Sequence, residues 1–281
     1  MKHLKKPTLS VKEIIHDCAQ SYRSETRNGL RGKLMNAADL IHDESQHYDE
    51  ALSENDMSCF EPHEVVNGNI STADMCDVYD NKLVKSAAIR NKYYDKLLAT
   101  ATTGKCPICG IGHVSNLDHY LAKTIYPIYA VTPFNLTPIC RDCNFEKLDS
   151  DVDQDNPPLH PYYDDVDSTE WLHAKLTAIN GSIAAEYYVD PHIAQIDHGL
   201  FQRLTLHMEM YKLGKAYSIQ ASTEISENSF MWKMKIQEWG EEEFKQYLQD
   251  CLKSKEQSQR NTWNTALLRA LIENVEIVYS L

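Results

Sequence analysis

The sequence predicts a mainly helical α+β protein with one small cysteine-rich module near the middle of the chain. Apolar residues recur at helical spacing towards both ends, whereas the middle holds two closely spaced cysteine pairs. With 281 residues, of which 42% are hydrophobic, the chain is long enough to bury a substantial core. We therefore divide it into an N-terminal helical region (1–70), a central core (71–165) and a C-terminal region (166–281) with a hairpin and helices.

Capping and periodicity predict helices from the start of the chain to about residue 100. Ser10 and Glu13 have the spacing of a capping box, and Val11 and Ile14 begin an apolar stripe at helical spacing. A second stripe covers 30–41. The stretch 53–68 contains Pro and Gly and predicts a loop, after which helical spacing returns from Ser71 to about residue 100.

The region after the central core predicts one hairpin followed by helices. Asn180-Gly181 lies between two apolar runs within 171–189, and this dipeptide favours a tight β-hairpin turn. From residue 191 onwards, apolar residues beginning with Ile193 and Ile196 recur at helical spacing and predict buried stripes.

Charge and hydropathy bear on whether the protein binds nucleic acid and whether it enters a membrane. The net charge of −13 argues against nucleic-acid binding by the chain as a whole, because phosphate contacts normally depend on Lys and Arg. The stretch from Lys85 to Lys147, however, contains eight basic residues and four acidic ones, which gives it a local charge of +4. The sequence contains no apolar run long enough for a membrane helix and no signal-peptide core, so we expect a cytoplasmic protein without membrane contact.

The two cysteine pairs predict a structural zinc site. Cys106-Pro-Ile-Cys109 and Cys140-Arg-Asp-Cys143 can each present two thiolates to one tetrahedral ion, and four protein ligands leave no position for substrate. A redox dithiol is the alternative interpretation of a single pair. We expect the metal, rather than a core, to hold the thirty residues between the pairs. We assign no role to the remaining cysteines, which are Cys18, Cys59, Cys76 and Cys251.

Residues within and just after this segment suit phosphodiester hydrolysis, which needs a base to deprotonate water and a cation to stabilise the phosphate. His119 is the candidate base, because an imidazole titrates near neutral pH. Asp118 and Asn144 offer the hard oxygen ligands that Mg²⁺ or Mn²⁺ accepts. By charge alone, three residues are candidate phosphate contacts: Lys123, Arg141 and Lys147.

The order Asp118-His119, then Asn135, then Cys143-Asn144-x-x-Lys147 resembles the HNH, or ββα-metal, endonucleases in the variant whose third signature residue is Asn. The resemblance implies a small treble-clef-like module clamped by zinc, with Asp118 and Asn144 as ligands of the catalytic metal. It also implies that Asn135 forms hydrogen bonds that fix the loop carrying His119. Ala122, before Lys123, stands where the HNH subunits of Septu-type defence systems usually have Pro, a difference that does not affect the chemistry.

The wider stretch 71–175 resembles the HNH subunit of Septu-type and retron-associated anti-phage defence systems. This resemblance implies an effector nuclease acting on nucleic acid, with DNA ahead of RNA, and a partner ATPase of the ABC or SMC-like type. Acidic flanks and extensive helical surface are consistent with a second protein that delivers the substrate. The alternative is a non-catalytic, zinc-stabilised nucleic-acid-binding or scaffold subunit. A nuclease acting alone would need a basic DNA-reading domain, which the sequence lacks.

Two further histidines have two interpretations each. His113 is either an extra metal ligand or, as we favour, a solvent-facing turn residue. His160, within Leu159-His-Pro-Tyr-Tyr163, either closes over the metal site or is a core or loop histidine, and we favour the second interpretation.

Overall fold

The computed structural model describes residues 1–22, 29–147, 152–179 and 181–280. The chain forms two compact units, which we call the N-terminal unit (His3–Asp164) and the C-terminal unit (Asp165–Leu281 together with Met1–Lys2). Both contain helices and short antiparallel strands, so the predicted mainly helical α+β class is confirmed. None of the described helices combines the length and the apolar character that crossing a bilayer requires.

Two helices open the N-terminal unit, α1 (Val11–Gln20) and α2 (Leu30–Ser53). Ser10 caps α1 as predicted, since its hydroxyl accepts a hydrogen bond from the backbone N–H of Glu13. The apolar stripe of each helix is buried, including Ile14 in α1 and Ile41 in α2. Both helices therefore contribute one face to the core of the unit.

A hairpin and a segmented helix follow. Strand β1 (Val65–Val66), near the end of the predicted loop, pairs with β2 (Ile70–Ser71), which follows that loop. The helical run then consists of α3 (Thr72–Asp77), a π-helical segment (Val78–Val84), α4 (Ala87–Ile89), a second π-helical segment (Arg90–Tyr94) and α5 (Asp95–Leu98). A capping box between Ser71 and Asp74 begins this run.

The central segment is a β-hairpin followed by a helix. Strand β3 (Val114–His119) pairs antiparallel with β4 (Leu136–Cys140), and α6 (Arg141–Lys147) follows directly. Two short 3₁₀ turns, Pro127–Tyr129 and Pro133–Asn135, lie in the connection between the strands. The register places Val114 opposite Cys140 and His119 opposite Leu136, so β3 runs from the cysteine pairs to the Asp118-His119 pair.

The described residues of the N-terminal unit include one continuous hydrophobic cluster, which forms its core. It includes residues of α1 and α2, of the segmented helix, of β3 and of the connection after it, among them Leu34, Leu83, Leu117, Leu121 and Val131. Residues on both sides of position 70 therefore share this core. The expectation that metal rather than a core holds the residues between the cysteine pairs is wrong, because Leu117, Leu121 and Val131 are buried in it.

The C-terminal unit contains the predicted hairpin, formed by β5 (Leu172–Ile179) and β6 (Ser182–Val189). Of the predicted turn, Gly181 has a positive φ of 77°, and Asn180 lies outside the described residues. Five helices follow, α7 (Ile193–Ile196), α8 (His198–Met210), α9 (Leu213–Trp239), α10 (Glu241–Glu256) and α11 (Trp263–Glu273), and then a 3₁₀ turn (Val275–Ser280).

One predicted core position of the C-terminal unit is wrong. Ile196 is 71% exposed, whereas Ile193 in the same four-residue helix is buried. The helix ends after a single turn, and Asp197 adopts an extended conformation before α8 begins. The periodicity that relates Ile193 to Ile196 therefore does not continue onto a longer buried face.

Candidate functional site

Four buried cysteines form a cluster at the end of the β3–β4 hairpin where Val114 pairs with Cys140. The sulfur atoms of Cys106, Cys109, Cys140 and Cys143 all lie within 4.8 Å of one another. The sulfurs of Cys109 and Cys140 are 3.9 Å apart, far beyond a disulfide bond. For four sulfurs bound to zinc, bond lengths of about 2.3 Å give separations of about 3.8 Å. The cluster can therefore hold a zinc ion, as the sequence predicts.

Backbone geometry around the first pair prepares the sulfurs for a cation. The N–H groups of Ile111 and Gly112 both donate to the sulfur of Cys109 at 3.4 Å. Gly110 has a φ of 70°, a conformation that glycine adopts at little cost. A Cβ atom on Gly112 would lie 2.7 Å from the Cβ of Cys140, so only glycine fits there. The turn thus brings the first pair close to the second.

The electrostatics of the cluster also favour a metal ion. Hydrogen bonds with the neighbouring thiols, that of Cys106 first, lower the pKa of Cys109, whereas the same kind of contact raises the pKa of Cys143. One thiolate in such a group opposes ionisation of the next, because like charges at this distance repel. A bound divalent cation removes that conflict, since all four sulfurs then bind as thiolates.

Replacing one of these cysteines tests the zinc site directly. We expect Cys109→Ser to reduce the zinc content from about one ion per chain to near zero and to lower the melting temperature, because metal binding contributes to folding. Zinc is measured by atomic emission and stability by calorimetry. The control Cys251→Ser changes a cysteine of the other unit and should retain the metal. Full zinc content in Cys109→Ser would contradict the assignment.

His119 lies at the opposite end of β3, where its ring is oriented by two contacts. The ring Nε2 lies 2.8 Å from the carbonyl oxygen of Ala130, which can only accept, so Nε2 carries the proton. In the neutral ring this leaves Nδ1 as the acceptor. The ring of Tyr79 packs edge-on against the imidazole with 4.3 Å between centroids, and the Tyr79 hydroxyl donates to the carbonyl of Leu117. The ring is therefore held in one tautomer and orientation.

Burial lowers the pKa of His119 to about 3, and the nearby positive charge of Lys123 contributes to the decrease. The hydrogen bond to Ala130 acts in the opposite direction and is outweighed. The imidazole is consequently neutral at pH 7 in the folded protein. A neutral ring with an acceptor at Nδ1 can accept a hydrogen bond from a water molecule, but a pKa of about 3 makes it a weaker base than the ordinary imidazole on which the sequence-based expectation depends.

This pKa predicts a dependence of stability on pH. In the unfolded chain His119 binds a proton below about pH 6.5, whereas in the folded protein it stays neutral down to about pH 3. Its contribution to stability is therefore present above pH 6.5 and is lost as the pH falls towards 3. Between pH 7.5 and pH 5 we expect wild type to lose about 1–2 kcal/mol relative to His119→Ala in denaturant unfolding. A difference between the two proteins that stays constant over this range would contradict the assignment.

Asp118, beside His119, forms an ion pair with the last residue of α6. The ammonium of Lys147 lies 2.5 Å from Oδ2 of Asp118 and also donates to the carbonyls of His119 at 2.6 Å and Tyr120 at 3.3 Å. Lys147 is buried, with 8% of its surface exposed. This side chain therefore fixes the end of β3 against α6. The prediction that Lys147 contacts phosphate does not fit this burial. We correct it: Lys147 binds Asp118 and the carbonyls of His119 and Tyr120 within the protein.

Removing this ammonium should destabilise the protein. Lys147→Met leaves the carboxylate of Asp118 and two carbonyls without the charged donor, and we expect a loss of about 3 kcal/mol in the free energy of unfolding. Lys123→Met is the matched control, since its ion pair with Asp80 lies at a more exposed position and should contribute less than about 1 kcal/mol. An equal loss in the free energy of unfolding for the two variants would show that the ion pair with Asp118 stabilises the protein no more than the exposed pair does.

Asn135 is completely buried at the end of the connection between β3 and β4. Its Oδ1 accepts from the N–H of Leu121 at 2.7 Å, and its Nδ2 donates to the carbonyls of Leu121 at 2.9 Å and Tyr129 at 3.2 Å. The carbonyl of the next residue, Ala130, is the partner of His119. These bonds join both ends of the segment that follows His119, which is the arrangement that the family resemblance implies for this residue.

The remaining candidate residues lie around this centre. Asn144 and Arg141 are exposed on α6, three and six residues before Lys147. The ammonium of Lys123 pairs with Asp80 at 2.7 Å and lies over the ring of Tyr79. His113 is exposed beside the first cysteine pair, where its backbone bridges to Lys105. His160 is buried, in agreement with the favoured interpretation of a core histidine.

Sequence reasoning did not identify two contributors to this site. Tyr79 packs on His119, and Tyr48, on α2, donates to Oδ1 of Asn135. Helical spacing from Ile41 marks position 48 as a buried face, since seven residues make two turns. That signal indicates burial only, and the hydrogen bond depends on residues 87 positions apart.

The chain is similar to protein ea31 of Escherichia phage lambda. The two sequences are 28% identical over 250 residues, which span 82% of this chain and 81% of that protein. Because this span is longer than either unit, the similarity includes residues of both. No protein-family model matches the chain, and no solved structure matches it.

Proposed function

We propose that this protein is a metal-dependent endonuclease of the HNH type that hydrolyses phosphodiester bonds in nucleic acid. The observation that supports this proposal best is the state of His119. Its ring is neutral, donates from Nε2 to Ala130 and has Nδ1 as the acceptor, and the residue follows Asp118 directly at the end of β3. Zinc held by the four cysteines would have a structural role, because all four of its positions would be filled by protein.

In the proposed reaction, Nδ1 of His119 accepts a proton from the water molecule that attacks phosphorus. The P–O bond to the leaving sugar oxygen breaks, and that oxygen takes a proton from solvent. The hydrogen bond from Nε2 to Ala130 keeps the ring oriented and becomes stronger as the ring gains positive charge. Tyr79 and the backbone bonds of Asn135 prevent the ring and its partner from moving apart. Arg141, exposed on α6, is the candidate phosphate contact that solvent reaches.

The donor atoms of Asp118 and Asn144 fit a catalytic Mg²⁺ or Mn²⁺, since a carboxylate and an amide carbonyl are hard oxygen ligands. A cation held there would stabilise the negative charge that develops on the phosphate. Helix α6 follows β4, which pairs with β3, so one compact segment carries both residues. Lys147 already contacts Oδ2 of Asp118, so the cation would share this carboxylate with the ammonium or replace it.

The setting of the proposed nuclease stays a prediction from sequence resemblance. We propose that it acts in the bacterial cytoplasm, on DNA ahead of RNA, as the effector of an anti-phage defence complex with an ABC or SMC-like ATPase. The chain's net charge of −13 supports a role for a second protein in delivering substrate, because an acidic surface repels free nucleic acid.

Cleavage assays with matched histidine variants test the proposal. Wild type is incubated with plasmid DNA and with total cellular RNA, in Mg²⁺ or Mn²⁺, with and without any protein that an adjacent gene encodes. We expect His119→Ala to reduce cleavage by about 10²–10⁴-fold, the usual contribution of a general base. His113→Ala, which replaces an exposed histidine of the same segment, should cut like wild type.

The zinc content of all three proteins serves as the control for folding. Absence of cleavage by zinc-loaded wild type under every condition would overturn the proposal. The chain would then be better described as a zinc-stabilised binding or scaffold subunit.

A further inference from the structure

The amide of Asn135 has a buried neighbour outside the central segment. The hydroxyl of Tyr48, in α2, donates to Oδ1 of Asn135 at 3.1 Å. Burial raises the pKa of Tyr48 well above its ordinary value, so the hydroxyl retains its proton. Oδ1 of Asn135 thus accepts two hydrogen bonds, one from Tyr48 and one from the N–H of Leu121.

His160 extends this network and determines which group donates each hydrogen bond in it. The N–H of Tyr162 donates to Nδ1 of His160 at 3.1 Å, so Nδ1 is the unprotonated nitrogen. In the neutral ring Nε2 then carries the proton, and it lies 3.5 Å from the hydroxyl oxygen of Tyr48. His160 therefore donates to Tyr48, and Tyr48 uses its own proton to donate to Asn135.

The bond from Tyr48 favours the same orientation of the Asn135 amide as the three backbone bonds do. If the amide turned by half a rotation, its NH₂ group would face two donors, the hydroxyl of Tyr48 and the N–H of Leu121. Its oxygen would face the carbonyls of Leu121 and Tyr129. The contacts with the N–H of Leu121 and with both carbonyls would be repulsive in a buried site, where unmade hydrogen bonds are costly, and the bond donated by Tyr48 would be lost.

The ring of Tyr48 and its hydroxyl make different contacts, so their roles can be tested separately. The ring lies against Phe60, Tyr129 and Tyr163, with centroid distances of 5.4, 5.1 and 6.4 Å. The ring of His160 packs against Tyr120 at 4.4 Å. The aromatic contacts would remain if the hydroxyl alone were removed, whereas the hydrogen bonds to Asn135 and from His160 would be lost.

From these contacts we infer that Tyr48 and His160 are positioning residues of the candidate nuclease site. They help to hold the amide of Asn135 in one orientation, and Asn135 in turn binds the carbonyl of Tyr129. Tyr129 directly precedes Ala130, whose own carbonyl orients His119. The inference deepens the proposed function and rests on it for its catalytic consequence. The inference also states that Tyr48, in α2, and His160 affect the orientation of the His119 ring. This effect can be measured without a cleavage assay.

The variant Tyr48→Phe tests the inference, with Tyr163→Phe as the matched control. Tyr163 belongs to the same aromatic cluster, but its hydroxyl donates to Asp49 rather than to Asn135. Nitrogen NMR of the His119 ring should show the Nε2–H tautomer in wild type and in Tyr163→Phe. In Tyr48→Phe we expect a mixture of tautomers and at least tenfold faster hydrogen exchange at the amide of Leu121.

Cleavage kinetics supply the catalytic readout. We expect Tyr48→Phe to lower kcat by about 10- to 100-fold with KM unchanged, because a small displacement of the base affects the chemical step. Tyr163→Phe should stay within about twofold of wild type, and zinc content should be equal in all three proteins. A wild-type tautomer, wild-type protection of Leu121 and unchanged kcat in Tyr48→Phe would overturn the inference.

A second pair of variants covers the case in which Tyr48→Phe does not fold. His160→Gln retains an N–H donor towards Tyr48 and should behave like wild type, whereas His160→Leu removes the donor and should show the mixed tautomer. Equal spectra for these two variants would also overturn the inference. If wild type does not cleave any substrate, the proposed function fails, and the NMR comparison still decides whether Tyr48 and His160 orient His119.

Discussion

The buried amide of Asn135 is the constraint on which the geometry around His119 depends. One side chain with two polar atoms binds the backbone on both sides of the turn after β3, and Tyr48 donates a further hydrogen bond to its oxygen. Apolar burial could not provide this, since it is non-directional and tolerates small shifts. A set of hydrogen bonds in a buried site either forms with correct geometry or leaves costly unpaired groups, so it specifies one arrangement.

The cysteine cluster and the Asn135 network act at opposite ends of the same hairpin. The pairing of Val114 with Cys140 places one end of β3 beside the thiols, and the pairing of His119 with Leu136 places the other end beside Asn135. Lys147, at the end of α6, binds two carbonyls at this second end. The short hairpin is therefore fixed at both ends, which suits a site whose side chains must keep their orientation.

Local patterns in the sequence predicted much of this arrangement, whereas contacts between distant residues were not predictable. The cysteine spacing, the helices and the C-terminal hairpin follow from residues close together in the chain. The role of Tyr48 depends on a partner 87 residues away, and that of His160 on a partner 112 residues away. Charge alone suggested that Lys147 faces phosphate, and only its burial beside Asp118 shows that it is used internally.

Internal ion pairs also reduce the contribution that the basic residues between Lys85 and Lys147 can make to binding nucleic acid. Of the basic residues between Lys85 and Lys147, several already have carboxylate partners within the protein: Lys92 with Asp17, Lys123 with Asp80, Lys147 with Asp118, and Arg90 with Asp95. A cation that is paired in this way releases fewer counterions when a phosphate approaches, so it contributes less to affinity for nucleic acid. The local balance of charge therefore overstates the attraction, and recognition by the proposed nuclease would depend on contacts at the site itself and on a delivering partner.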